Sequence, residues 1–260
     1  MGKALSLALL ILISGYTAKT QNVVPAFDTI EFNRKLELAN WLTEYDYFSQ
    51  LSTVNLSRQE EYTGLQWFSF TQEHLWHTIG GKIAGEKFSI LKHVVIDSML
   101  NISDYHGHSD TSALLASGYA LSQADAHFQT VRDTSNIYFT SFVHRNTDQS
   151  ISIWFLPAFQ PSGQAIYGCE WEYLFDSTGK NLLKQFTYSE NITGLWIGQP
   201  RELRMNYRNS DTPTLGSLFF ALSFCDYFTR VRIDTNKSFS ILTKDKAGKY
   251  TWSHELRQGF

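Results

Sequence analysis

The sequence predicts an α+β protein, in which a first part mixing helices and strands is followed beyond about residue 160 by a β-rich module. Three observations predict it. Apolar residues recur at helical intervals in two stretches, 28–52 and 112–131. Short apolar and aromatic runs, cut by glycine and Asx turns, lie between and after those stretches. Beyond Pro157 the helical spacing gives way almost wholly to strand-like runs.

Taken in order, residues 1–20 carry Lys3, an uncharged apolar run from Ala4 to Ile13, and small or polar residues from Ser14 to Thr20. That layout is a secretory signal peptide, so the mature protein is expected to be secreted or periplasmic. The run falls short of the roughly 20 apolar residues a spanning helix needs, so no stable membrane span is expected once the signal is cleaved. The first domain is placed at 21–160. Ile30, Phe32, Leu36, Leu38, Leu42, Tyr45 and Phe48 predict its first helix. Gly64–Phe70 reads as a strand, and Leu75–Leu91, interrupted by Gly80, Gly81 and Gly85, as a hairpin. Val94–Leu100 is a further apolar segment that leads towards His106. Ser112–Val131 reads as a helix that could break at Gly118. Ile137–Val143 and Ile151–Leu156 read as strands around an Asn146–Asp148 turn. In the module at 161–260, Asp176–Gly179 and Asp245–Gly248 each sit between two strand-like runs and predict hairpins.

Composition narrows the function classes. An apolar content of 43% is enough for a core without disulfide staples. A formal net charge of −3, with no run of basic residues, argues against nucleic acid and anionic lipid as partners. Cys169 and Cys225 are the two cysteines, and the sequence leaves open one disulfide or two buried thiols. No G-x-S-x-G elbow, P-loop or dinucleotide glycine fingerprint occurs. The many C-terminal aromatics fit a sheet core first, and an exposed platform for sugar or peptide second.

The residues that carry chemistry are Glu61, His106, His108, Ser122 and Asp125. On an extended segment His106 and His108 project to one side, where two imidazoles suit a zinc ion. Asp125, or the nearer Asp110, offers a third ligand. A zinc-bound water has a pKa near 7, and a neighbouring carboxylate can take its proton. The same pair of histidines also fits an exposed loop. His74 and His77 stand at a helical ligand spacing but in a strand-like context, which would separate them.

Three segments together resemble a family. Glu61-Tyr-Thr-Gly-Leu65 is similar to the E-x-x-G-L/I segment of the JAB/MPN (JAMM) zinc metallopeptidases. Asp104-Tyr-His-Gly-His108 resembles their H-x-H segment, and Ser122-Gln-Ala-Asp125 their S-x-x-D segment. The order agrees, and the resemblance covers residues 28–158 or so. It departs at Ser109, where the family has proline, at Thr63, and in a longer gap from His108 to Ser122. It implies a mixed sheet with flanking helices, and zinc held by His106, His108 and Asp125. It further implies Glu61 as the base and Ser122 as the polarising residue in hydrolysis of a peptide or protein substrate. The competing expectation is a secreted binding protein, without enzymatic activity, that takes peptide or carbohydrate.

Overall fold

Tandem hairpins and two long helices account for most of the chain. A computed structural model describes residues 27–56, 59–84, 87–132, 136–197 and 201–257. The predicted signal peptide lies outside these residues.

Helix α1 (Thr29–Leu56) opens on Asp28, whose Oδ1 accepts the Glu31 amide at 2.9 Å. Strands β1 (Gln66–Gln72), β2 (Leu75–Ala84), β3 (Lys87–Ile96) and β4 (Ile102–Asp104) form an antiparallel meander. Helix α2 (Thr111–Val131) follows, its first amides held by the Asp110 carboxylate. A second meander comprises β5 (Phe139–Arg145), β6 (Ile151–Pro157), β7 (Gln164–Phe175) and β8 (Leu182–Trp196). A third sheet has the order β12-β11-β10-β9, from β9 (Arg201–Tyr207), β10 (Phe228–Thr235), β11 (Ser238–Lys244) and β12 (Tyr250–Leu256). Helix α3 (Leu215–Ser223) connects β9 to β10, which pair in parallel, as a helical crossover permits.

This architecture corrects the expected fold. Among the described residues the protein is mostly β, with three four-stranded sheets and three α-helices, and a JAB/MPN-like mixed sheet is not shown. The reason is local. Consecutive strands joined by a few residues can only pair antiparallel, and β1–β4 are so joined. The boundary placed near residue 160 falls inside the second sheet, because β6 pairs with β7 across it.

The layers follow from alternation along the strands. One face of the first two sheets packs on α2 through Phe68, Ile79, Phe88, Ile153, Phe155 and Tyr173. Gly118 does not break α2. It lets the helix close on β3, since a Cβ there would lie 2.3 Å from the Phe88 ring. On the opposite face Trp76, Phe142, Trp154 and Tyr167 join α1, α3 and the inner face of the third sheet in one core. Beneath α1 a buried chain of hydroxyls links Ser52 to Thr78 and Thr78 to Ser69, each step 2.8 Å. Both cysteines are free thiols, and burial pushes that of Cys169 up to about 12.

Candidate functional site

The seam between the first two sheets makes the site. Strands β1 and β5 are edge strands of separate sheets that lie side by side without a ladder between them. Tyr45 of α1, fully buried, stands in the middle of the seam. Its hydroxyl accepts the Ser69 amide of β1 at 2.8 Å and also meets the Val143 backbone of β5. An edge amide that would otherwise go unpaired thus finds a side-chain acceptor.

On either side of Tyr45 the seam opens. Where both strands begin, a cleft of about 380 Å³ is lined by Asp46, Gln50, Gln66, Trp67, Asp125 and Phe139, among others. It adjoins a lobe of about 400 Å³ between α2 and β5, and the two share Asp125, Phe139, Ser141 and Phe155. Where both strands end, a smaller cleft of about 290 Å³ holds Asp110, Ser117, His144 and Arg145.

The larger cleft is built from helix stripes. Asp46, Ser49, Gln50 and Thr53 recur at i, i+3, i+4 and i+7 on α1, which places them on one face beside the buried Leu42 and Tyr45. Leu121 and Asp125 repeat the pattern on α2. Asp46 is partly buried. Its Oδ2 accepts from Gln50 at 2.8 Å, while its Oδ1 is closed off from solvent. Burial raises its carboxyl above the usual range, and the Gln50 amide and the Thr140 hydroxyl pull the other way. Asp125 accepts from Gln129 at 2.9 Å and from Gln66 at 3.3 Å. The Ser122 hydroxyl bonds to Gln66 Oε1 and lies 2.9 Å from the Gly118 carbonyl.

The structure therefore brings Ser122 and Asp125 together through Gln66, a residue the sequence did not single out. Glu61 is exposed on a 3-10 turn at Glu60–Tyr62, where it holds the Tyr62 phenol above its ordinary value. His106 and His108 are exposed on the loop between β4 and α2. Asp110, the rival ligand, accepts from Ser112 N, Ser112 Oγ and Ala113 N at 2.7–3.1 Å as the cap of α2. Among the described residues no three His, Cys, Asp or Glu side chains gather where they could hold a metal ion.

A different histidine pair does meet. His77 on β2 and His93 on β3 place Nδ1 and Nε2 3.0 Å apart. Phe70 stacks on His77 at 5.0 Å, and the Tyr105 ring lies 4.7 Å from His77 and 4.4 Å from His93. Burial lowers both imidazoles, and His77 further depresses His93, which falls to about 4. The pair is neutral at pH 7 and anchors Tyr105, whose hydroxyl donates to the His108 carbonyl at 3.0 Å. The signal for it lay in strand register, which places His93 diagonally from His77 on one face.

No family model matches this chain, and neither does any curated protein.

Proposed function

We propose that this is an exported carbohydrate-binding protein that holds a polar, uncharged sugar chain in the cleft at the start of β1 and β5. The observation that carries the reading is the chemistry of the lining. Two carboxylates, Asp46 and Asp125, share the cleft with the amides of Gln50 and Gln66 and the hydroxyls of Ser49, Thr53 and Ser141. Trp67 and Phe139 supply ring surface. Acceptors and donors set against aromatic carbon suit sugar hydroxyls and the apolar faces of pyranose rings.

Tryptophan fluorescence tests the reading, because Trp67 lines the cleft. The mature protein is titrated with neutral oligosaccharides of the cello, malto, xylo and chito series. At least one series is expected to bind, with affinity falling tenfold or more in Asp46→Asn and in Trp67→Ala. If no series binds, or if both variants bind as the wild type does, the reading fails. The competing zinc hydrolase on His106, His108, Asp125 and Glu61 has its own signature. One equivalent of zinc on the purified protein, lost in His108→Ala, would favour it instead.

A further inference from the structure

The outward face of the third sheet gathers guanidinium groups around a single buried carboxylate. Asp234 on β10 is 1% exposed. Its Oδ2 accepts from Arg204 Nε and Nη2, both at 2.5 Å, and its Oδ1 from Arg232 Nε at 2.6 Å. Arg257 Nη2 stands 3.9 Å from Oδ2, while its Nε donates to the Thr235 carbonyl at 2.7 Å. Arg232 and Arg257 lie over the Phe239 ring at 3.8 and 4.5 Å. Arg208 adds a fourth positive charge near Arg257, whose hold on its proton is weakened first by desolvation, with Asp234 opposing, and then by Arg208, Arg204 and Arg232. Three guanidinium groups, those of Arg204, Arg232 and Arg257, face one carboxylate, and Arg204 is 60% exposed. The acids on this face are Glu202, 4.0 Å from Arg230, and Glu255, opposite Phe239 in register. Six of the ten arginines of an otherwise acidic chain lie between 201 and 257.

We infer that the Arg204–Arg208–Arg232–Arg257 face of the third sheet docks an acidic polysaccharide bearing uronate carboxylates. The cluster already shows the contact it would repeat. Arg204 grips a carboxylate through Nε and Nη2, the fork geometry that suits carboxylates. Like charges packed around one buried anion repel each other, and a second anion relieves that repulsion. A uronate chain supplies carboxylates at regular intervals to arginines set on neighbouring strands. Nucleic acid fits less well, because Phe239, the ring at the cluster, is covered by guanidinium groups and gives bases no stacking platform. The inference does not depend on the cleft, which lies between other sheets.

Affinity electrophoresis of the mature protein through gels containing polygalacturonate, dextran sulfate, a single-stranded oligonucleotide or neutral dextran tests it. Polygalacturonate is expected to retard the wild type at 50 mM salt and to lose its hold by 300 mM, while dextran has no effect. The Arg204→Ala/Arg208→Ala double variant is expected to bind at least tenfold more weakly. Arg204→Lys/Arg208→Lys keeps the charge but loses the fork, and should recover only part of the affinity. The salt response of the wild type stands as a readout even if the alanine variant fails to fold. Retardation by the oligonucleotide or dextran sulfate but not by polygalacturonate overturns the inference, and so does binding indifferent to salt. Binding that survives in a folded alanine variant does the same.

Discussion

Replacing Glu170 by glutamine should erase one arm of this protein's pH–stability profile. Glu170, on β7, is 5% exposed. Its Oε1 accepts from Thr214 Oγ1 at 2.6 Å and its Oε2 from the Gly216 amide at 2.7 Å, at the start of α3. The residue at 216 must be glycine for this approach, since a Cβ there would lie 2.6 Å from Oε2. Thr214 Oγ1 also accepts the Ser217 amide, which leaves its hydroxyl proton for the carboxylate. These donors favour the ionised form, but burial outweighs them and raises the group from 4.5 to about 7. A rise of that size corresponds to about 3 kcal/mol between the two protonation states. The folded protein therefore holds this proton more tightly than the unfolded chain does. The contribution is present in full below about pH 4.5 and is lost as pH climbs to 7. Neutral-burying histidines act in the opposite sense. His93, lowered to about 4, adds stability above pH 6.5 that is lost as pH falls towards 4. Urea unfolding of wild type and Glu170→Gln, run in parallel from pH 4.5 to 8, cancels the histidines in the difference. Wild-type stability should fall relative to the variant by about 3 kcal/mol across that range. Parallel curves would refute the assignment and show that Glu170 stays ionised throughout, held by its donors.

Two further expectations concern packing. Gly118→Ala gains helix propensity, yet its methyl would sit 2.3 Å from Phe88, a ring 3% exposed with no room to retreat. Overpacking of this kind costs ~1–3 kcal/mol, so the melting temperature should drop, and an unchanged or higher one would show that α2 can shift from β3. Tyr45→Phe strips the acceptor from the Ser69 amide inside the seam. A loss of ~1–3 kcal/mol is expected in urea unfolding. Native stability in the variant would mean that water takes the place of the hydroxyl.

Both long helices were legible because each buries one stripe and solvates the other. The predicted stretches 28–52 and 112–131 became Thr29–Leu56 and Thr111–Val131. The hairpins at Asp176–Gly179 and Asp245–Gly248 were legible because turn chemistry is local, and in each the glycine takes a positive φ. Helix α3 was not legible. Its residues, Leu215 to Ser223, are apolar nearly throughout, with no period to separate helix from strand in a segment sunk between α1 and β7.

Local chemistry along the chain settled where helices start, where hairpins turn, and that Ser122 and Asp125 share one helical face one turn apart. It could not settle what those two residues meet. Gln66 and Asp46 reach the cleft from β1 and α1, and that meeting depends on how two sheet edges lie against each other. The arginine face shows the same limit more sharply. No run of basic residues precedes it in the chain, because alternation along β9 and β10 separates each arginine from the next by buried apolar residues. Charge density on a surface is a property of neighbouring strands, and pairing in the folded sheet is what brings Arg204 beside Arg232.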